Sequence, residues 1–274
     1  MFNFVGERIS IFNKSLMSFL FQDVVFGPVK SRRLGVSLGI NLLPVDAKYC
    51  TFNCIYCECG WTHDKIQGEK KLPSREMVSE KLEEKLKELV VTGVRPDAIT
   101  FAGNGEPTIH PQFAEIMEDV IRLKDQYFPE AMVSVLSNAS MLGKPAIFQA
   151  LKKTGNSILK LDAGTEKMFK LINGPRSGIT LHSIIEKLKE FHGDLIIQTL
   201  FLRGKIDGET IDNTAEPEIS RWLEHISAIN PKYVMIYPID RATPLETLEK
   251  ISFAELGKIA DRVEKMGIKA QVYY

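Results

Sequence analysis

From about residue 34 onward the 274-residue chain alternates between short apolar, β-branched runs and longer stretches with helical spacing. Strands are predicted at 34–40 (LGVSLGI), 97–102 (DAITFA), 132–137 (MVSVLS), 157–162 (SILKLD), 195–202 (LIIQTLFL) and 233–239 (YVMIYPI), with a final one in IKAQVYY. Helices are predicted between them. Val78, Leu82, Leu86, Leu89 and Val90 share one face of a helix over 73–91, and Ser74 is its expected N-cap. A second helix over 110–128 has Pro111 near its first turn, and others follow around 144–154, 179–191, 216–229 and 252–266. Six strand–helix units in succession predict an α/β fold with a parallel sheet and right-handed crossovers.

In such sheets chemistry collects at the carboxyl ends of the strands. GNGEPT follows the second predicted strand, SNAS the third, and DAGT ends the fourth. Arg203 and Lys205 follow the fifth, Asp240 and Arg241 the sixth. Polar residues are thus gathered at one edge of the sheet.

All four cysteines fall in KYCTFNCIYCECGWT, between Cys50 and Cys59. No apolar run approaches the ~18 residues of a membrane span, and SLMSFLF is too short for a signal core. A cytoplasmic location is expected, where thiols stay reduced. Four clustered cysteines there point to metal or redox chemistry, because adjacent thiols close loops too small to staple a fold. Residues 1–18 are expected to form an N-terminal extension, poorly ordered, and 19–274 a single core domain. Lys and Arg together number 35, as do Asp and Glu, so no global field draws in nucleic acid.

Cys50, Cys54 and Cys57 form C-x3-C-x2-C. Three thiolates on one excursion suit a soft-metal centre. One alternative is a structural zinc site completed by Cys59 or His63. Another is a set of unligated thiols. The third is a [4Fe-4S] cluster with three protein ligands, which leaves one iron open for chemistry.

C-x3-C-x2-C with Tyr56 before the last cysteine resembles the signature of the radical S-adenosylmethionine (SAM) superfamily. The resemblance implies a partial (β/α)6 barrel in which Cys50, Cys54 and Cys57 hold a [4Fe-4S] cluster whose unique iron binds SAM. It implies reductive cleavage of SAM to a 5′-deoxyadenosyl radical that abstracts hydrogen from substrate, with an external electron donor such as flavodoxin or ferredoxin. GNGEPT resembles the family's glycine-rich motif, so Gly103, Gly105 and Glu106 are expected at the SAM amino group. By position Ser137 and Asn138 are expected near ribose or carboxylate, Asp162 near ribose or substrate, and Gln198 in the site if it faces the barrel. Ile236 and Tyr237 fall where family members cradle adenine.

FGPVKSRRLGVSLGINLLP, YCTFNCIYCECG, TFAGNGEPTIHPQF, KLDAGTEKMFKLING and IYPIDRATP together resemble compact proteins related to the wyosine-base synthases of tRNA, over roughly 19–245. Those synthases bind a second cluster through upstream cysteines. This chain has none before Cys50, so a single cluster is expected. The substrate stays open among a nucleoside or tRNA base, a peptide or protein, and a metabolite; the neutral charge does not favour nucleic acid. Arg32 or Arg33 is a candidate clamp for a substrate carboxylate or phosphate. Cys59 is expected to be a bystander.

Overall fold

The computed structural model describes residues 19–62 and 72–274; the extension expected over 1–18 and the alternative ligand His63 lie outside the described residues. The chain enters through β1 (Val25–Ser31) and β2 (Gly35–Ile40), an antiparallel pair. After the cysteine loop come α1 (Arg75–Thr92), β3 (Ala98–Phe101), a 3-10 turn at Pro107–Ile109 and α2 (Phe113–Tyr127). Next are β4 (Met132–Ser137), α3 (Pro145–Thr154), β5 (Ser157–Lys160), α4 (Glu166–Asn173) and α5 (Leu181–Lys189). The chain continues with β6 (Ile196–Ile206), β7 (Glu209–Asp212), α6 (Glu216–Ile229) and β8 (Tyr233–Pro238). It closes with β9 (Glu249–Lys250), α7 (Phe253–Glu264) and β10 (Lys269–Val272).

The sheet runs β1-β2-β3-β4-β5-β6-β8-β10, parallel from β2 onward and unclosed, with β7 and β9 pairing antiparallel to β6. Six strand–helix units followed by one more strand make the partial (β/α)6 barrel. Burial on both faces explains the apolar strands. In β6, Ile197 and Phe201 pack outward, with Phe201 edge-on to Trp222 of α6 at 5.3 Å, whereas Gln198 and Leu200 line the lumen. Helix α2 buries Phe113, Ile116, Met117, Val120 and Leu123 along one stripe. Each such side chain contributes about 1.5–3 kcal/mol.

Several expectations change in detail. Ser74 does cap α1, accepting from Met77 N at 3.2 Å, but Val90 is 53% exposed and does not join the buried stripe. Pro111 precedes α2, whose N-cap is Gln112, and Pro107 opens the 3-10 turn instead. Arg203 and Lys205 lie within β6, because pairing with β7 extends that strand past the parallel register. β5 ends at Lys160, two residues short of the predicted 162.

Candidate functional site

The cysteine loop leaves β2 and is stitched to the strand ends it crosses. Tyr49 N donates to Asn104 O at 2.8 Å, and Glu106 N donates back to Tyr49 O at 3.1 Å. Gly105 (φ 141°) makes this approach possible, since a Cβ there would collide with the Tyr49 carbonyl. Gly103 (φ 150°) is pressed likewise against Asn41. Both positions belong to the glycine-favouring region. Gly105→Ala is therefore expected to lower stability by more than about 2 kcal/mol through strain and lost pairing. The urea midpoint checks this, and an unchanged midpoint contradicts it.

Cys50, Cys54 and Cys59 are buried and Cys57 is half-buried; all four are free. Asn138 Nδ2 points at Cys50 Sγ (3.6 Å) and Asn173 Nδ2 at Cys54 Sγ (3.5 Å). Burial pushes the Cys50 thiol up to about 12, with Cys54 adding to it, and raises Cys54 as well. Cys57 is drawn down to about 6, first by a hydrogen bond from the Cys59 thiol. Lys48 is buried beside them with Nζ on Gly60 O at 2.9 Å. Burial opposes its charge, yet Cys57, Cys54 and Cys50 outweigh that and hold its pKa above the ordinary lysine value.

These residues fit an iron–sulfur centre. Buried thiols that resist ionisation become thiolates when a bound cation supplies the missing charge, and two amide N–H groups already face the sulfurs. Among the described residues no three Cys, His, Asp or Glu side chains converge on a point that one metal ion could hold. A cluster requires no such point, because each cysteine takes a different iron. A mononuclear zinc site finds no support in this arrangement. Cys59 Sγ lies beside Cys57 and within 3.7 Å of Gly103 O.

Glu106 is 2% exposed and caps the 3-10 turn. Its Oε1 accepts from Thr108 N (3.1 Å), Thr108 Oγ1 (2.5 Å) and Ser137 Oγ (2.9 Å), while Oε2 accepts from Asn138 N at 2.6 Å. Burial raises its pKa against these four donors. Oε2 retains one lone pair, so the carboxylate can take one further donor. Ser137 and Asn138 thus hold Glu106, and Asn138 also spans to Thr51 Oγ1 (2.9 Å) beside Cys50.

Asp162 is held by four donors. Its Oδ2 receives the Tyr56 hydroxyl, Asn173 Nδ2 (2.8 Å) and the Lys160 ammonium (3.4 Å), and Oδ1 receives Leu200 N (3.0 Å). Lys160 Nζ also donates to Tyr56 Oη at 2.7 Å. This knot ties the cysteine loop to β5, α4 and β6. Burial, then the Asp162 carboxylate, holds the Tyr56 hydroxyl far above its ordinary pKa.

A cavity of about 300 Å³ opens beside the loop, lined by Cys57, Tyr56, Gln198 and Tyr237 among others. Gln198 Oε1 accepts from Arg33 Nη1 (3.1 Å) and Tyr237 Oη (3.4 Å). Lys48, Lys160 and Asn173 escaped sequence reasoning. The alternation of Lys160 and Asp162 inside an apolar strand was the available signal for the lysine, since period-two polarity marks a lumen face.

Residues 45–216 match the sequence profile of the radical SAM superfamily. The chain is 32% identical to a UPF0026 protein of Synechocystis sp. over 81% of this chain and 77% of that one. It is 32% identical to a UPF0026 protein of Methanocaldococcus jannaschii over 70% of this chain and 59% of that one. It is also 30% identical to a Brachyspira hyodysenteriae protein named GTPase Obg, over 85% of this chain but 32% of that one. The chain thus spans less than two thirds of the latter two. Among solved structures, a radical SAM methyltransferase from Sphaerobacter thermophilus superposes with TM-score 0.62 at 12% identity, covering 87% of this chain and 66% of that one. TYW1 with a lysine-pyruvate adduct superposes with TM-score 0.60 at 17% identity, covering 84% and 73%. At these identities the likeness establishes the fold.

Proposed function

The chain belongs to the radical SAM superfamily, whose cofactors are a [4Fe-4S] cluster and SAM, and on that premise we propose that Cys50, Cys54 and Cys57 ligate three irons and leave the fourth to SAM. When bound, the reduced cluster supplies the electron that splits SAM to methionine and a 5′-deoxyadenosyl radical for hydrogen abstraction from substrate. The observation that carries this reading is the trio of thiols gathered in one glycine-docked loop, two of them, Cys50 and Cys54, raised by burial and faced by amide donors.

The chain's own residues bind and orient. Glu106 offers its remaining Oε2 lone pair to the SAM ammonium, with Ser137 and Asn138 fixing the carboxylate. Asp162 holds Tyr56, and so the loop's third cysteine, against the cavity, and acts as a positioning residue. Tyr237 and the adjoining β8 backbone form the wall for adenine, and the apolar lumen keeps water from a reactive radical. A flavodoxin or ferredoxin serves as electron donor in a cytoplasmic setting, and residues 19–274 act as one core.

Anaerobic purification tests the reading. Brown protein with about four irons and matching sulfide, forming 5′-deoxyadenosine with dithionite and SAM, is expected. Colourless protein with one zinc contradicts it. Glu106→Gln is expected to weaken SAM binding roughly 10- to 100-fold, the equivalent of one charge-assisted hydrogen bond. Equilibrium binding of labelled SAM measures this, and an unchanged affinity removes Glu106 from the site.

A further inference from the structure

Three arginines and two carboxylates line the cavity: Arg32, Arg33, Arg241, Glu58 and Asp240. Arg32 Nη2 pairs with Asp240 Oδ2 at 2.8 Å, joining the β1–β2 turn to the end of β8 across the open side of the barrel. Arg241 pairs with Glu58. Two of the arginines are thereby paired, and among the described lining residues Arg33 is the arginine left without a carboxylate.

Arg33 is half-buried, and no described carboxylate pairs with it. Its guanidinium lies 5.0 Å from the Tyr237 ring centroid and gives Nη1 to Gln198. Of five N–H donors, the side chain uses one on a described protein partner. A planar cation placed over an aromatic ring, with donors to spare in a cavity, is matched by a planar or tetrahedral oxyanion. Gln198 contributes in the same direction: its carbonyl oxygen takes the Arg33 and Tyr237 donors, which fixes the fork.

We propose that Arg33 anchors an anionic group of the substrate, a carboxylate or phosphate, at the inner end of the cavity. The proposal rests on the reading of the site above. Gln198 pairs in register with Lys160, two residues before Leu200, whose N–H meets Asp162. The anchor therefore sits about 7 Å along the strands from the layer where Asp162 holds Tyr56. Arg32 is assigned to the latch and not to the substrate.

The test uses anaerobically reconstituted holoenzyme, titrated calorimetrically with inorganic phosphate and, separately, with succinate. Wild type is expected to bind at least one saturably, and the one that binds identifies the class. Arg33→Gln is expected to weaken that binding at least tenfold and Arg33→Lys less, while Arg262→Gln on the outer helices leaves it unchanged. Circular dichroism of each variant confirms folding. SAM affinity is expected to fall by less than tenfold in Arg33→Gln, since the variant alters only the back of the Tyr237 wall. The proposal is overturned if wild type binds neither anion, if Arg33→Gln binds as wild type does, or if its SAM affinity falls tenfold, which would give Arg33 to the carboxylate of SAM. Iron content and 5′-deoxyadenosine formation are measured on the same preparation. Loss of those in wild type overturns the cluster reading, while the anion titration still decides Arg33.

Discussion

Alanine in place of any one of Cys50, Cys54 and Cys57 is expected to bring 5′-deoxyadenosine formation down to background and to lower bound iron. On the proposed assignment each of the three thiols takes a separate iron, so two would not do the work of three. Cys59 is not expected to stand in, because its thiol already lies between Cys57 and the Gly103 carbonyl, at 3.7 Å from the latter, and the loop there is held by Gly60 N on Cys57 O at 2.9 Å. Cys59→Ser, by contrast, is expected to retain turnover. Full turnover in any of the three alanine variants would remove the cluster assignment, and background turnover in Cys59→Ser would make that cysteine a participant.

The second large effect falls on stability. Asp162→Asn is expected to cost about 3 kcal/mol, the lower part of the range for a broken buried ion pair. The carboxylate side chain is fully buried, while Lys160 keeps 15% exposure and some access to water. Burial alone would depress the lysine, but the Asp162 charge, with Tyr237, Cys54 and Cys57 adding to it, outweighs that and holds its pKa above the ordinary lysine value. With asparagine, Lys160 loses its counter-charge and the Tyr56 hydroxyl its anionic acceptor. The double variant Lys160→Met with Asp162→Asn is expected to be less destabilised than Asp162→Asn alone, since no charge is then left unpaired. Urea unfolding of the three proteins measures this. A cost below about 1 kcal/mol for the single variant would show that the knot does not hold the loop.

The parallel β/α order was legible because strands buried on both faces read as apolar runs, and helices such as α2 carry a clear stripe. The hairpin strand β1 was not, because it is half-exposed, interrupted by Gly27-Pro28 and bulged between Phe26 and Val29. Helix α4 has eight residues, too few to build a periodic signal, though Phe169 and Ile172 are buried along it. The spacing of the cysteines marked a soft-metal candidate, and the resemblance singled out Cys50, Cys54 and Cys57. What holds the trio was not legible. Asn173, the last residue of α4, reaches both Cys54 and Asp162 from 119 and 11 residues away, and only the fold brings those together. The glycines of GNGEPT had a different hidden cause: the space they leave is filled by Tyr49 and Asn41. Of the two adjacent arginines, sequence could not separate the latch from the free cation. The partner of Arg32 lies 208 residues away.

The central claim is a cluster with one iron that the protein leaves open. Mössbauer spectra of iron-57-reconstituted protein, recorded with and without SAM, address it directly. One iron in about four is expected to change its isomer shift when SAM is added, with the remaining three unchanged. Spectra in which SAM alters none of the irons would contradict the account, as would a centre in which every metal is already ligated by side chains.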